Sequence, residues 1–432
     1  MEGSRHPLVI APPATRRVRR PALKHRRTII VLGICAAATL GMRVGGPAAP
    51  RAAVAVDSIA SPAGPGSAEP NLTVGPDGRV YLSWLEPADS GHALRFAVHD
   101  GAKWSPARTI VARRDFFVNW ADFPSLEVLD GGRLAAHWLQ RNGPGTYAYG
   151  VRIAQSRDGG QTWGVPVTPH RDSSKTEHGF VALWRERGAL GAAWLDGRKF
   201  SKEGHDAGNE MMLVTTTLAS DGTRGPEVRL DERTCDCCQN AVAVTAAGPI
   251  IAYRNRSPDE IRDIYVTRRV AGKWTAGVPV NSDNWKIAAC PVNGPALAAR
   301  SNRVVLAWFT AAGDSARVKV AFSDNAGASF GAPTIVDGGK PAGRVDVALL
   351  ADGGALVTWV ERIGGDTAAV RARHITRDGR AGVPTTIASN SAARASGFPK
   401  IAVTGSTVMF AWTVPGKPSA VRVARASLSE FK

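Results

Sequence analysis

Three of the chain's five cysteines fall within four residues, Cys235, Cys237 and Cys238 of "CDCC", and a fourth, Cys290, stands in "IAACPVNGP". Sulfurs so grouped either close disulfides, with three possible pairings among four cysteines, or together offer four thiolates to zinc or to a soft ion such as Cu(I). His178 is a further candidate ligand. Arginines form a second group. Arg198 of "LDGR" and Arg254 and Arg256 of "YRNR" directly follow apolar runs, while Arg344 and Arg394 precede others. Guanidinium forks recognise carboxylates and phosphates in the plane, so these five are candidate ligands for an anion, with local ion pairing as the plain alternative. Among groups able to move protons, Asp122 is a candidate general acid, Glu361 a candidate general base and Tyr253 a candidate nucleophile.

These residues can act together only if the fold brings them to one place, and the fold is written as a repeat. "GRVYLSWLE", "GRLAAHWLQR", "GALGAAWLDGR", "GPIIAYRNR", "NRVVLAWFTA", "GALVTWVER" and "STVMFAWTV" are apolar strands ending on Trp84, Trp138, Trp194, Tyr253, Trp308, Trp359 and Trp412, which are 51–59 residues apart. Between them lie short strands bounded by Gly, Pro, Asn and Asp, with no convincing amphipathic helix. Four short strands per period predict an all-β propeller with seven four-stranded blades, six being the alternative if one period is elaboration. The seventh period has only three strands. "AVAVDSIA", from residue 53, is expected to supply the fourth, closing the ring through residues 54–60 and leaving no open sheet edge.

In such a ring, the loop leading into each innermost strand and the loop between the second and third strands share one face. That placement gathers the cysteines, Asp122, Tyr253, Glu361 and the five arginines around one mouth. Cys235–Cys238 and Cys290 lead into innermost strands of adjacent blades, so the register predicts that they meet.

"SRDGGQTWG" is a complete Ser-x-Asp-x-Gly-x-Thr-Trp turn, made by Ser156, Asp158, Gly160, Thr162 and Trp163, and "SDNAGASFG" is a degraded copy one half-ring later. With the blade period and an exported leader, residues 57–432 resemble the BNR/Asp-box, sialidase-like propellers. The resemblance implies that this turn is a structural hairpin on the face opposite the site, and that clustered arginines would hold a carboxylate such as that of sialic acid. The chain departs from the sialidase pattern in lacking a Phe/Tyr-Arg-Ile-Pro motif in an early blade.

Residues 1–55 read as targeting sequence. Ten Lys/Arg stand there against Glu2 alone, and "TIIVLGICAAATLG" is an apolar run too short for a membrane span but suited to a signal peptide cleaved near Ala53–Ala55. An uncleaved anchor is the alternative, and the sole expected membrane contact. Export to a periplasmic, cell-surface or secreted location implies an oxidising compartment, which favours disulfides. The leader takes +9 of the formal +17 charge. The remaining charge is scattered along residues 56–432, a single propeller domain, and this argues against nucleic acid as a partner. The expected function is therefore binding of an anionic small molecule, a glycan or a protein partner. The alternatives are an exo-sialidase-type glycoside hydrolase and a thiolate metal-binding propeller.

Overall fold

A computed structural model describes residues 55–89, 91–200 and 210–432; the leader and its expected cleavage site lie outside the described residues. The chain forms seven blades in sequence order, and among the described residues the helical content is four short 3-10 turns. The first blade shows the pattern. Its innermost strand Ala68–Val74 pairs with Val80–Ala88, which carries Trp84; Gly91–His99 and Arg108–Arg113 follow outward, every pair antiparallel. In the second blade the fourth strand is reduced to a single bridge between Ile153 and Val167.

Each repeat aromatic has a definite job. The buried apolar side chains fall into seven clusters, and each cluster spans one interface between neighbouring blades. Trp84 packs with Met409 and Val421 of the last blade, Trp138 with Phe96 of the first, and Trp194 with Tyr149 of the second. Tyr253, Trp308, Trp359 and Trp412 fill the next four interfaces. All seven are buried. The second strands are covered on both faces by adjoining blades, so they read as continuous apolar runs instead of alternating ones. At about 25 cal/mol per Å² over an aromatic's ~200 Å², each such side chain contributes about 5 kcal/mol of transfer free energy.

A buried indole N–H usually finds an acceptor, and among the repeat tryptophans those of Trp138 and Trp412 have none. Glu86, Asp196 and Glu361, two residues beyond Trp84, Trp194 and Trp359 on the same strand face, accept those N–H groups. The Trp308 indole instead donates to Asp283, and the Tyr253 hydroxyl to Asp231 on the outer strand Val228–Thr234 of the preceding blade.

The ring closes as the register predicts. Asp57–Ile59 pairs antiparallel with Ala420–Ser427, placing Asp57 opposite Arg425 and Ile59 opposite Val423. The last blade thereby gains its fourth strand from the start of the domain.

Candidate functional site

The innermost strands are reached through a repeated backbone kink. Glu69, Phe180, Val292 and Arg344 have φ of 58°, 51°, 48° and 56°, and each lies 14–16 residues before the aromatic of its blade. Such left-handed geometry is costly for residues with a Cβ and persists only where its surroundings hold it. A side chain from the preceding blade does so in three cases. The Glu69 N–H donates to Thr413 Oγ1 (3.1 Å), that of Phe180 to Asp122 Oδ1 (2.7 Å) and that of Arg344 to Asn293 Oδ1 (2.7 Å). Glycine precedes the kink where the cap is closest: a Cβ on Gly179 would lie 2.0 Å from Asp122 Oδ2, and one on Gly343 2.2 Å from Asn293 Oδ1.

A cavity of about 210 Å³ lies among the innermost strands, lined by Phe180 of the kinked residues and by Asp122, Phe123, Glu127, Gln239, Asp346 and Lys400 among others. On one side sits a carboxyl cluster. Tyr149, at the start of the third strand of blade two, places its hydroxyl 2.9 Å from Asp122 Oδ2 and 2.7 Å from Glu177 Oε1. One hydroxyl hydrogen serves only one of these two carboxyl groups at a time. Burial pushes Asp122 up to about 7, against the hydrogen bonds from Phe180 and Tyr149. Glu69 is buried with one carboxyl oxygen unpartnered, and burial together with the nearby Asp122 charge pushes it up to about 8. Burial likewise lifts Glu127 to about 8.

Across the mouth, the Arg344 guanidinium lies over the Trp120 ring, 5.0 Å from its centroid, so blade six meets the loop that carries Asp122. Trp120 stacks on Phe398 at 5.9 Å, Phe123 meets Phe398 at 5.5 Å, and the Lys400 ammonium sits 4.5 Å above Phe123. Arg344 is buried, and its guanidinium donates to the carbonyls of Ala393 and Gly397. Burial, then the neighbouring Arg362 and Arg394 charges, pull it down to about 10. Arg362 and Arg394 are exposed, and among the described residues none of the three forms an ion pair with a carboxylate.

The other candidate arginines are engaged elsewhere. Arg198 grips Asp196 and Glu227, and Arg256 grips Glu260. Arg254 is buried and donates to the carbonyls of Asn293, Arg262 and Phe309, clamping blade four to blade five. Of the three proton-moving candidates, Asp122 lines the central cavity, whereas Tyr253 and Glu361 do not. Tyr253 is an interface aromatic bonded to Asp231. Glu361 holds the Trp359 indole and the backbone N–H groups of Gly338 and Lys340. Tyr149 is the tyrosine near the mouth that the repeat count alone passes over. Its signal was available, because it opens a third strand directly after a loop on the site face. Trp120, two residues before Asp122, was missed in the same way.

The four described cysteines meet. Cys235 Sγ lies 3.7 Å from Cys237 Sγ and 3.5 Å from Cys238 Sγ, and Cys237, Asp236 and Cys290 form a second close group. All four are unbridged; the first three are buried and Cys290 is exposed. Burial disfavours a thiolate at Cys235, but hydrogen bonds from Cys237 and Cys238 and the Arg262 charge hold it well below the usual thiol range. His178 faces Asp172 and Asp196.

The "SRDGGQTWG" turn is a closed hydrogen-bonded hairpin. Asp158 accepts from the Ser156 and Thr162 hydroxyls and from the Gln161 and Thr162 N–H groups, and these bonds hold its carboxyl well below the usual range. Gly160, at φ 84°, approaches Phe96 of blade one, where a Cβ would come within 2.4 Å, and Trp163 meets the same ring edge-on. Ser323, Asn325 and Ser329 reproduce the pattern in blade five. Strand order puts both turns at the end of the blades away from the kinked mouth.

No protein-family model and no curated protein matches the sequence. Among solved structures, the chain is similar to a protein of unknown function from Dyadobacter fermentans, at 15% identity and a TM-score of 0.50, covering 88% of this chain and 98% of that one. It is also similar to the phage phi92 endosialidase (11%, TM-score 0.47, 87% and 69% covered) and the Trypanosoma rangeli sialidase (13%, 0.48, 76% and 57%). Other neighbours are a polysaccharide lyase and an α-L-arabinofuranosidase. At such identities the likeness concerns the fold.

Proposed function

We propose that the chain is an exported propeller that binds an acidic saccharide at its central mouth. One observation carries this reading: Arg344 lies over the Trp120 ring, within reach of the Arg362 and Arg394 charges, and among the described residues none of the three forms an ion pair with a carboxylate. Three cations held close cost free energy until an anion joins them, and aromatic faces next to charged forks suit the apolar side of a sugar ring bearing a carboxylate or sulfate. Asp122 and its carboxyl neighbours, on the far side of Trp120, provide acceptors for ring hydroxyls. Charge-assisted hydrogen bonds contribute roughly 1.5–3 kcal/mol each.

The test is a titration of 3′-sialyllactose, oligogalacturonate and neutral lactose into the wild type and an Arg362→Ala/Arg394→Ala double variant. Both residues are exposed, so the fold survives their loss. The expected result is salt-dependent binding of an acidic sugar, no binding of lactose, and an affinity loss of tenfold or more in the variant. Equal binding of neutral and acidic sugars, or an unaffected variant, would overturn the proposal.

A second reading, a sialidase-type glycoside hydrolase, is favoured by the Tyr149–Glu177 pair at 2.7 Å, a tyrosine with a carboxylate placed to take its proton. A fluorogenic sialoside separates the two readings. Turnover abolished by Tyr149→Phe supports hydrolysis, and binding without turnover leaves the first.

A further inference from the structure

We propose that Cys235, Cys237, Cys238 and Cys290 form a binding site for one thiophilic metal ion, Zn²⁺ or Cu(I), set between blades four and five. Three of the sulfurs are near the spacing it requires. A tetrahedral zinc with Zn–S near 2.3 Å has S···S edges of about 3.8 Å, and Cys235 lies 3.7 and 3.5 Å from its two neighbours. Cys237 belongs both to this trio and to the group that contains Cys290, so the fourth sulfur approaches from the next blade.

The scaffold around the sulfurs is fixed independently of any ion. The Cys235 N–H donates to the Arg254 carbonyl at 2.9 Å, while the Arg254 guanidinium holds the Asn293 carbonyl of the Cys290 loop at 2.8 and 3.0 Å. Gln239 Oε1 accepts the Gly294 N–H at 2.9 Å, and a Cβ on Gly294 would meet the Gln239 carbonyl at 2.2 Å. The two loops are thus docked before their cysteines are considered.

Charge also fits. Four thiolates around Zn²⁺ carry a net −2, and Arg262 Nη1 sits 3.3 Å from Cys235 Sγ and 3.5 Å from Asp236. Three buried sulfurs and one exposed one describe a site loaded from the Cys290 side. Soft sulfur donors select Zn²⁺ and Cu(I) over hard cations.

The experiment uses the full chain, purified anaerobically and reduced. One arm titrates Zn²⁺ against a chromophoric chelator and the other Cu(I) against bathocuproine disulfonate. Iodoacetamide labelling is then read at each cysteine by peptide mapping, so that Cys35 of the leader is scored separately. The expected result is one equivalent bound in at least one arm, with Cys235, Cys237, Cys238 and Cys290 protected together. The exposed Cys290→Ser substitution, which leaves the buried trio intact, should weaken binding at least tenfold. Mg²⁺ should protect nothing. Failure of the reduced chain to bind either ion stoichiometrically, labelling unchanged by metal, or full affinity in Cys290→Ser overturns the proposal. So does a chain recovered from an exporting host with these four sulfurs in disulfides and no metal.

Discussion

Replacing Glu69 by Gln should flatten the decline of stability between pH 6 and pH 9. Glu69 is 7% exposed, one of its carboxyl oxygens has no partner, and its carboxyl is pushed up to about 8, beside Asp122 at about 7. An acid whose folded pKa is raised keeps its proton in the native state after the unfolded chain has lost it. Stability therefore falls as pH rises from the unfolded value near 4.5 to the folded value, by about 1.4 kcal/mol per pH unit, and levels off above it. From pH 6 to 9 Glu69 contributes two such units, about 2.7 kcal/mol, and Asp122 one, about 1.4 kcal/mol. With an unfolding entropy of roughly 2.1 cal/mol/K per residue over a domain of about 380 residues, the pair lowers Tm by about 5 °C across this range. Glu69→Gln keeps the shape and removes the titration, so the decline of its Tm across this range should be smaller than the wild type's by about 3 °C. The assay is calorimetry of both proteins at half-unit pH steps. Other titrating groups act alike in each protein and cancel in the difference. Parallel Tm curves for the two proteins would refute the reasoning, because Glu69 would then have to ionise in the fold as it does in water.

Tyr253→Phe removes the hydroxyl that Asp231 accepts and should cost about 1–3 kcal/mol in denaturant unfolding. Sugar binding by that variant should be unchanged, since Tyr253 does not line the mouth; a lost ligand with an intact fold would contradict this. Deleting residues 55–60 strips the outer strand from the last blade and exposes its edge. Three paired residues at about 1 kcal/mol each predict a Tm lower by about 4 °C, together with faster proteolysis within Ala420–Ser427; an unaltered melt would exclude the closure. Asp158→Ala should make the 156–164 hairpin protease-sensitive while leaving ligand affinity at the opposite end unchanged, as isothermal titration would show.

The fold was legible because the burial of one aromatic per interface repeats at a fixed spacing, and that spacing survives even where Tyr253 replaces tryptophan. The meeting of Cys235–Cys238 with Cys290 was legible for the same reason, since loops at equal register in adjacent blades must be neighbours. The partners of individual arginines were not. Arg198, Arg254 and Arg256 follow their strands just as Arg362 does, yet Asp196, Glu260 and three backbone carbonyls engage the first three. Which partner lies within hydrogen-bond reach depends on side-chain positions to within an ångström, and a strand pattern does not encode that. Tyr149 was hidden differently. It packs as a core aromatic against Phe117, and only its hydroxyl reaches the mouth.

The recurring kink accounts for why chemistry collects at this end of the ring. Three of the four kinks spend their backbone N–H on a side chain from the preceding blade, so a residue such as Asp122 holds the kink with one oxygen and accepts from Tyr149 with the other. The caps are Thr413, at the end of a second strand, and Asp122 and Asn293, in loops that lead into innermost strands, all short side chains able to accept, and the kinked residues themselves are Glu69, Phe180, Val292 and Arg344. The cap chemistry is therefore constrained by the backbone, while the kinked side chain is free to vary from blade to blade in charge and size. Different residues at that one position have given the mouth a buried acid on blade one and a buried, unneutralised guanidinium on blade six. Kink and cap positions thus supply Glu69, Asp122 and Arg344 to this face, while Glu127, Asp346 and Lys400 reach the cavity from the innermost strands themselves.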